Sequence, residues 1–419
     1  MSTPSGGRED FELPQKLARL KDSFRPSSPV DRQSLFKGRI NQLSQIFSAV
    51  QELGQHAVIY GERGVGKTSL SYMAKSIYAS RRTGEQLGVR FQCSADDDFA
   101  TVWEKFIPAV RNEVDLLPED KNKELGEVVD RAEDILMDNI TPDRVFRAIN
   151  VIARYAPMVL IIDEIDRIGD HSSTQLFADL VKTLSDSLVP CTLIMVGVAD
   201  DVDGLIQGHR SVERGLKQIQ MPRMEPDELR EILVEGYKSV DLSATEELLD
   251  TVVRLSQGLP HYAHLLGGIL GESALIRGAS EITIEFLGAA INKALDEAQR
   301  SIQVAYAKAV NSPNKNARFD DTLLACALAD VDNIGYFAPV DVSKPLSKIQ
   351  GIKRETPSFL HHLRAFSESR GFVLETRGEG RHRRYRFQNP LLQPFVILKG
   401  VSDQKVRING VKIELGFQQ

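Results

Sequence analysis

The chain has 419 residues, of which 42% are hydrophobic and 26% are charged, and its formal net charge is −6. This length predicts two to three domains that each bury a core, and the acidic balance argues against a chain that coats nucleic acid everywhere while allowing one local basic surface. No apolar run of about 18 residues is present and residues 1–8 lack the apolar core of a signal sequence, so we expect a cytoplasmic protein without membrane helices. The three cysteines are far apart and indicate neither a disulfide framework nor a zinc site; they are Cys93, Cys191 and Cys326.

The first 30 residues are rich in Ser, Pro, Gly and charged residues, which predicts a flexible N-terminal tail. Pro26 and Pro29 exclude a helix at residues 25–30, because each proline favours an extended conformation in the residue before it. A helix with one apolar face is predicted after the segment 35–39. Its apolar residues are Ile40, Leu43, Ile46, Phe47 and Val50.

Residues 61–68 match the pattern G-x-x-x-x-G-K-[ST] of a phosphate-binding loop. An apolar run at 57–60 precedes them and a helical pattern at 69–79 follows, as this loop requires. Glycines let the backbone amides close around phosphates, and the helix N-terminus adds partial positive charge. We expect Lys67 to reach the β- and γ-phosphates and Thr68 to place its hydroxyl on Mg2+. The stretch predicts a site for ATP or ADP with Mg2+, formed by Gly61, Glu62, Arg63, Gly64, Val65, Gly66, Lys67, Thr68 and Ser69.

Between this loop and the next motif, the sequence predicts a strand at 89–93 and a helix through Trp103 and Phe106. Residues 112–138 are rich in charge, which favours an exposed helical insertion. Thr141 and Pro142 are typical of a helix N-terminus, with a capping side chain and a proline in the first turn, and this helix is expected to reach about residue 155.

Residues 158–162 form a continuous apolar run, which is typical of a strand buried on both faces in a parallel sheet. The run ends in Asp163 and Glu164, and ligands gather at the carboxyl ends of strands in α/β sheets. We expect Asp163 to hold Mg2+ through water, and Glu164 to orient and polarise the attacking water as general base. Two acids at a strand end are weak evidence alone, but after a phosphate loop they predict a hydrolysis site. Asp166 and Arg167 are expected to form structural salt bridges.

A helix at 173–188 and a second buried strand at 192–198 come next. The position just beyond such a strand can hold a polar residue that senses the γ-phosphate, and Asp200 is the candidate. An acid near a phosphate needs Mg2+ or water between them, so a loop acid that caps the next helix is the alternative interpretation.

The spacing of GERGVGKT (61–68), LIIDEID (160–166), VGVAD (196–200) and SVER (211–214) resembles that of the AAA+/STAND group of P-loop ATPases. Within that group it looks most like the origin-recognition and STAND-type members, which include archaeal-ATPase-like proteins, and it covers about residues 30–300. The resemblance implies that the segment 35–39 lies beside the nucleotide base; a cover for a sheet edge is the alternative. It also implies an arginine that contacts a neighbouring subunit's γ-phosphate. Arg214 is the preferred candidate and Arg210 the second, while an ordinary surface arginine fits the sequence equally well.

The stretch Gly258-Leu259-Pro260 departs from the initiator ATPases, whose lid carries an arginine that contacts the γ-phosphate. It resembles the STAND branch and the TniB/ExeA-like ATPases, in which this proline touches adenine, so Pro260 becomes a candidate adenine contact. The departure implies a slow or partner-stimulated ATPase, although the same residues also end one helix and begin another. The lid is expected to be a helical bundle formed by 226–240, 244–255, 260–277 and a long helix at 284–310.

After a linker at 312–316, helices are predicted at 320–329 and 358–371, a polar segment of mixed character at 330–356, and a hairpin at 372–387. This order resembles the winged-helix domains appended to origin-recognition and related prokaryotic ATPases. A basic hairpin of this kind would lie on DNA phosphates, whereas a solvated charged hairpin or a protein-binding winged helix is the alternative. A second hairpin is predicted at 405–415. The candidate DNA contacts are Arg377, Arg381, Arg383, Arg384 and Arg386.

Together these patterns predict an α/β fold with a P-loop AAA+-type parallel sheet core, a helical lid and a C-terminal winged-helix domain. The predicted boundaries are 1–30 for the tail, 31–223 for the core, 224–311 for the lid, 317–400 for the winged helix and 401–419 for the last hairpin. The predicted function is an ATP-hydrolysing switch on double-stranded DNA, replication-initiator-like or transposition-regulator-like. It would act as a nucleotide-dependent homo-oligomer or with a partner protein. The alternatives are a STAND-type signalling or defence switch whose winged helix packs on protein, and a nucleotide-binding scaffold with negligible turnover.

Overall fold

The computed structural model describes residues 6–26, 39–80, 86–200, 202, 205, 213–313, 317–332, 334–409 and 412–415. The predictions for the segment 35–38, for Arg210, for the linker residues 314–316 and for the turn at Gly410 lie outside the described residues. The chain divides into two compact units. The first, here called the sheet unit, consists of Pro29–Glu62 and Gly66–Pro222; the second, the helical unit, consists of Met1–Ser28, Arg63–Val65 and Arg223–Gln419.

The helices and strands follow one another in chain order. Up to residue 220 they are α1 (Gly6–Ser23), α2 (Ile40–Gln51), β1 (His56–Gly61), α3 (Lys67–Ser80), β2 (Leu87–Gln92), α4 (Phe99–Glu104), α5 (Phe106–Val114), α6 (Glu119–Leu136), α7 (Pro142–Tyr155), β3 (Met158–Asp163), α8 (His171–Asp186), β4 (Cys191–Val198) and β5 (Leu216–Gln220). From residue 226 onward they are α9 (Pro226–Lys238), β6 (Ser243–Ala244), α10 (Glu246–Ser256), α11 (Pro260–Ile276), β7 (Glu281–Ile282), α12 (Leu287–Glu297), α13 (Arg300–Val310), α14 (Phe319–Ala327), α15 (Pro339–Gln350), α16 (Leu360–Glu368), β8 (Leu374–Arg377), β9 (Arg384–Phe387), α17 (Leu392–Ser402), β10 (Val406–Asn409) and β11 (Lys412–Leu415).

Strands β1 to β5 form one parallel sheet in the order β2-β3-β4-β1-β5. β4 is central and pairs with β3 on one side and β1 on the other. Every residue of β3 is buried, and β4 is buried up to its last residue, Val198. Strands covered on both faces need continuous apolar runs, which is the pattern that predicted them. The α/β class and the parallel core are therefore confirmed.

The prediction of an exposed insertion at 112–138 is wrong. This stretch contains the end of α5 and all of α6, and α6 packs against α7 in the core of the sheet unit. Its composition is dominated by charge, yet its apolar residues recur at helical spacing and line one buried face. The buried residues of α6 are Leu125, Val128, Val129, Ala132 and Leu136. The helix that follows begins as predicted, at Pro142, with the Thr141 side chain accepting a hydrogen bond from the N–H of Arg144.

His56, at the start of β1, helps to fix β1 beside β4. Its Nδ1 accepts a hydrogen bond of 3.0 Å from the N–H of Leu193, and the ring is fully buried. Burial lowers the pKa of His56 to about 4, so the ring is neutral at pH 7 and Nδ1 keeps the lone pair that this bond requires. The pairing of β1 with β4 is what places the loop that follows β1.

The N-terminal segment differs from the flexible tail predicted for residues 1–30, because residues 6–23 form helix α1. Leu20 and Phe24 are buried against the helical unit, which is the packing that orders the segment. The Phe24 ring lies 5.3 Å from the ring of Tyr237 between centroids, and Ser23 Oγ lies 2.8 Å from Ser239 Oγ. Composition predicted disorder here, whereas a few apolar residues at helical spacing are enough to dock the helix.

The long helix predicted at 284–310 is two helices, α12 and α13. Ala298 and Gln299 are extended between them, with ψ angles of 145° and 131°. Gln303 Nε2 donates a hydrogen bond of 3.0 Å to the carbonyl of Leu295, which would otherwise lack a helical partner at the end of α12. No single residue in this stretch is a strong helix breaker, so the sequence did not predict the break.

Residues 330–356, predicted to be polar and of mixed character, contain helix α15. Pro345 lies inside this helix, and because proline disfavours a helix interior the sequence did not predict it. The buried residues Val342 and Leu346 are nevertheless four apart, which is helical spacing. β8 and β9 form the predicted hairpin, and backbone hydrogen bonds join Phe337 to Tyr385 of β9. β10 and β11 form the second predicted hairpin. None of the described helices combines the length and the hydrophobicity that crossing a bilayer requires.

Gly267 of α11 makes room for Phe24, because a Cβ added there would lie 2.4 Å from Phe24 Cε1 and 2.9 Å from Leu233 Cδ2. We predict that Gly267→Ala displaces Phe24 and lowers the free energy of unfolding by about 1–3 kcal/mol. The matched control is Gly288→Ala in α12, where an added Cβ meets no atom within 4 Å and alanine should stabilise the helix by up to about 1 kcal/mol. Chemical denaturation followed by circular dichroism measures both variants. Equal effects of the two substitutions would contradict the packing role of Phe24.

Candidate functional site

The glycine-rich loop and the acids at 163–164 follow two strands of the same sheet. β1 ends at Gly61, which pairs with Val198 of β4, and on the other side of β4 Ile162 pairs with Met195. Two strand spacings, about 10 Å, therefore separate the ends of β1 and β3. Because the strands run in the same direction, both segments leave the sheet at its carboxyl edge. The topology brings together the two motifs that the sequence singled out.

The backbone of the loop leaves space for a ligand. Gly61, Gly64 and Gly66 have φ angles of 149°, 87° and 96°. Residues with a side chain rarely adopt such positive φ angles. Gly61 passes so close to Met221 that an added Cβ would lie 2.4 Å from the Met221 carbonyl oxygen. At Gly66 an added Cβ would meet no atom within 4 Å, so there is open space beside the loop. The first N–H groups of α3 follow directly, and they have no carbonyl partner within the helix, which favours an anion here.

Lys67 is the first residue of α3 and is only 8% exposed. Its Nζ donates hydrogen bonds of 2.9 Å and 2.7 Å to the carbonyl oxygens of Gly61 and Glu62. The ammonium group thus lies against the carbonyls of its own loop. Charged phosphate oxygens are stronger acceptors than carbonyls, so Lys67 can exchange these bonds for phosphate without moving far.

Asp163 is 2% exposed, and both of its carboxylate oxygens are hydrogen-bonded. Oδ1 accepts the N–H of Glu164 at 2.9 Å, and Oδ2 accepts Arg90 Nη2 at 2.6 Å. Glu164 has a left-handed backbone, with φ 57° and ψ 38°, that turns the chain out of the strand. Its carboxylate pairs with Arg167 Nη1 at 3.0 Å, and its side chain is 39% exposed. The buried acid is thus held in place, and the second acid has access to solvent.

The salt bridge predicted for Arg167 is present, since the guanidinium pairs with Glu164. Asp166 has a different role: its Oδ1 accepts a hydrogen bond of 2.8 Å from the N–H of Val198. It therefore supports the carboxyl end of β4, between the two strands that lead into the site.

Arg90 of β2 is a residue of this site that the sequence analysis missed. Its guanidinium lies over the Tyr72 ring, 4.1 Å from the centroid, and Nη1 donates to the Tyr72 hydroxyl at 3.1 Å. Tyr72 follows Thr68 by four residues on α3, so the two side chains lie on the same face of that helix. The contacts from Asp163 through Arg90 to Tyr72 thus place this face of α3 beside the acid. The available signal was a charged residue in the middle of an otherwise apolar strand.

The residues at this edge fit Mg2+ that is bound together with a nucleotide. The Asp163 carboxylate and the Thr68 hydroxyl supply oxygen, which is the ligand type that Mg2+ prefers, and phosphates and water usually complete its shell. Among the described residues, no group of three or more His, Cys, Asp or Glu side chains could hold a metal ion alone. Cys93, Cys191 and Cys326 are free and buried, and burial raises the pKa of the Cys93 thiol to about 12. A thiol that stays protonated is not a metal ligand.

Asp200 and Arg214 lie at opposite edges of the sheet. Asp200 is half-buried and follows β4 at the carboxyl edge. Arg214 is exposed, and its carbonyl accepts a hydrogen bond of 2.9 Å from Gln55 Nε2. It precedes β5, whose first residue pairs with His56 at the start of β1. The length of β1, about 20 Å, therefore separates Arg214 from the phosphate loop of its own chain, which is beyond the reach of one side chain.

Pro260 and the basic hairpin belong to the helical unit. Pro260 is the first residue of α11, after the extended residue Leu259. The ring of the next residue, His261, bonds through Nδ1 to the carbonyl of Pro26 at 2.7 Å, and burial lowers its pKa. His261 is thus engaged in packing within the helical unit.

The arginines of the β8–β9 hairpin differ in how strongly they are paired. Arg377 and Arg384 lie opposite each other on the two strands, and both are exposed. Arg384 also pairs with Asp332 at 3.1 Å. Arg386 is only 14% exposed and pairs with Glu375. Arg383 is half-buried, and the side chain of Arg381 lies outside the described residues.

Comparison with known proteins gives one family match. Residues 35–195 match the model of the AAA ATPase domain. No match was found among the curated proteins. Among solved structures, the chain is similar to Cdc6p from Pyrobaculum aerophilum, with 16% identity and a TM-score of 0.46 over 92% of this chain and 99% of that one.

Two further structures come from Aeropyrum pernix. The ORC2 protein in its ADPNP–ADP complexes has 12% identity and a TM-score of 0.49 over 92% of this chain and 98% of that one. The ORC1 protein in complex with DNA has 13% identity and a TM-score of 0.45 over 90% of this chain and 96% of that one. Similarity this distant does not assign a ligand or a partner to the chain.

Proposed function

We propose that the chain is an ATP-driven switch that binds ATP with Mg2+ at the carboxyl edge of its sheet and hydrolyses it. The match of residues 35–195 to the model of the AAA ATPase domain supports this proposal. The observation that carries this proposal is the convergence of Lys67, Asp163 and Glu164 at the ends of two strands that flank β4. The open space at Gly66 gives the phosphates room beside the loop amides.

In the proposed reaction, Lys67 exchanges its bonds to the loop carbonyls for bonds to the β- and γ-phosphates. Mg2+, held by Thr68 and Asp163 with the phosphates, supplies charge neutralisation. Glu164 orients a water molecule and accepts its proton as general base. In the structure Arg167 Nη1 donates to Glu164 Oε2, so that oxygen is shared with a cation rather than held ready for the water. This contact supports a slow or partner-stimulated ATPase.

Two substitutions separate binding from hydrolysis. We expect Lys67→Ala to lose ATP binding and turnover, because the cation for the phosphates is removed. Glu164→Gln should keep ATP bound and lower turnover by about 10²- to 10⁴-fold, because the amide cannot accept the proton. Phosphate release and retention of radiolabelled ATP measure the two effects.

The matched control for Lys67 is Lys75→Ala on the same helix, where the removed ammonium pairs with Glu113 rather than with the loop. It should retain binding and turnover. Wild-type hydrolysis by Glu164→Gln would contradict the assigned base, and negligible turnover by the wild type would favour the nucleotide-binding scaffold.

We further propose that Arg214 acts on the γ-phosphate of a neighbouring copy. Its place at the amino edge of the sheet supports this role, because its own phosphate loop is out of reach. An exposed guanidinium at such a position can stabilise the charge that develops on the transferred phosphoryl group.

Mixing two inactive variants tests Arg214. Arg214→Ala and Lys67→Ala should each be nearly inactive, because one lacks the guanidinium and the other the phosphate contact. Their mixture should recover part of the wild-type turnover, since an intact loop from one variant meets an intact Arg214 from the other. Arg147→Ala, which removes another exposed arginine of the sheet unit, is the control and should be fully active. A mixture without recovered activity would argue against action between copies.

We propose that the β8–β9 hairpin and its helices form a winged helix that places the chain on double-stranded DNA. The exposed arginines Arg377 and Arg384 supply local positive charge on a chain that is acidic overall, and such charge contacts phosphates without reading sequence. The pairing of Arg386 with Glu375 makes it a structural residue of the hairpin rather than the main DNA contact.

Salt-dependent DNA binding tests the hairpin. The double variant Arg377→Gln/Arg384→Gln should bind duplex DNA more weakly and should lower the slope of log K against log salt by about 2, one unit for each lost phosphate contact. Fluorescence anisotropy at several salt concentrations measures both. Arg147→Gln/Lys182→Gln removes the same charge from exposed positions of the sheet unit and should leave both values unchanged. Equal slopes for the two double variants would contradict DNA contact by the hairpin.

A signalling switch is the second candidate, and hydrogen bonds within the helical unit favour it. Tyr262 of α11 donates to the carbonyl of Leu391 at 2.7 Å, and Arg223 donates to Gln393 of α17 at 2.8 Å. These bonds join the lid helices to the C-terminal helices within one unit, which is the arrangement expected of a module that packs on protein. Absence of salt-dependent DNA binding in the wild type would favour this candidate.

A further inference from the structure

Arg90 is not part of the mechanism proposed above, yet it forms an ion pair with the buried carboxylate of the site. We propose that Arg90 is the counter-ion of Asp163 when no metal is bound, and that it competes with Mg2+ for this carboxylate. The inference rests on the proposed nucleotide site and adds a device that makes metal binding depend on the nucleotide.

The competition follows from the occupancy of the two carboxylate oxygens. Asp163 Oδ1 accepts a hydrogen bond of 2.9 Å from the N–H of Glu164, and Oδ2 accepts one of 2.6 Å from Arg90 Nη2. Oδ2 thus already binds one cation, and a metal at this oxygen would have to lie close to the guanidinium. The two side chains are 11% and 2% exposed, so water screens the pair poorly and the charges act on each other strongly.

The other contacts of the guanidinium hold it in place without neutralising it. Tyr72 lies beneath it at 4.1 Å and accepts a hydrogen bond from Nη1 at 3.1 Å. Tyr72 thus orients Arg90, and the positive charge of the guanidinium is paired with Asp163. Arg90 Nε is buried and has no hydrogen-bond partner among the described residues. The guanidinium is thus fixed on one side by an aromatic ring and on the other by the acid.

Charge explains why the pair makes the metal depend on the nucleotide. Arg90 and Asp163 together are neutral, so Mg2+ alone would meet a cation and no net negative charge. The phosphates of a bound nucleotide bring several negative charges, which offset part of the repulsion between the metal and the guanidinium without removing it. Mg2+ therefore binds weakly to the empty site and well to the site with nucleotide.

A titration of Mg2+ tests whether Arg90 weakens binding of the metal, as proposed, or strengthens it. Wild type and Arg90→Gln are compared for binding of a fluorescent, non-hydrolysable ATP analogue, first in EDTA and then with increasing Mg2+. Arg90→Gln removes the competing charge, so the Mg2+ concentration at half-saturation should fall by about tenfold. Affinity for the analogue in EDTA should fall, because Asp163 then lies near the phosphates without its counter-ion. Arg147→Gln, an exposed arginine of the same unit, should behave as the wild type. An unchanged or higher half-saturating Mg2+ concentration would overturn the proposal, because it would mean that Arg90 orients Asp163 for the metal.

Thermal unfolding provides a readout that needs no nucleotide. In EDTA, Arg90→Gln should unfold at a lower temperature than the wild type, since Asp163 is left buried without a counter-ion. Mg2+ alone should then raise the unfolding temperature of Arg90→Gln more than that of the wild type. Equal responses to Mg2+ would contradict the competition. Absence of analogue binding by the wild type would instead reject the proposed nucleotide site.

If Arg90→Gln fails to fold, Arg90→Lys replaces it in the Mg2+ titration. Lysine retains the charge but has a shorter reach and cannot form the planar contact with Tyr72. It should shift the half-saturating Mg2+ concentration in the same direction as Arg90→Gln and by a smaller amount. A shift in the opposite direction would overturn the proposal.

Discussion

The candidate site depends on how the charge of Asp163 is compensated. A carboxylate that is 2% exposed is costly to bury unless it is paired and hydrogen-bonded. Here the compensation comes from Arg90 on the neighbouring strand and from the next backbone N–H. Arg90 in turn lies on Tyr72 of α3. The charge of Asp163 therefore links the end of β3 to the middle of β2 and, through Arg90 and Tyr72, to the helix that follows the phosphate loop. Any ligand that enters this site has to replace or join that pair.

The sequence predicted the parts of the sheet unit in which local pattern and tertiary packing agree. Strands β3 and β4 are buried on both faces, so their apolar runs could be read directly. The glycine-rich loop and the acids at 163–164 follow strands whose neighbours are set by topology, and both reach the carboxyl edge. Arg90 could not be predicted with the same confidence, because its role depends on contacts with β3 and α3 that no local pattern specifies.

The differences at α1, α6 and α15 have a common physical origin, because composition and the spacing of apolar residues indicate different structures in these three segments. Helix α6 is rich in charge, and α1 lies in a segment rich in Pro and Gly, yet each buries apolar residues at helical intervals. α15 contains Pro345, and its buried face is formed by Val342 and Leu346. Net charge and proline content describe the exposed side of a helix. The side that packs is described by periodicity, and a few residues are enough to define it.

Parallel strands also place the two halves of the proposed catalytic machinery apart. The loop and acids lie at the carboxyl edge of the sheet, whereas Arg214 precedes β5 at the amino edge. If Arg214 acts as proposed, only a second copy arranged head to tail can bring these halves together. Such a contact is heterologous, so it closes into a ring or continues as a filament according to the rotation between copies. Hydrolysis would then be coupled to assembly, because the guanidinium reaches a phosphate only where the next subunit is present.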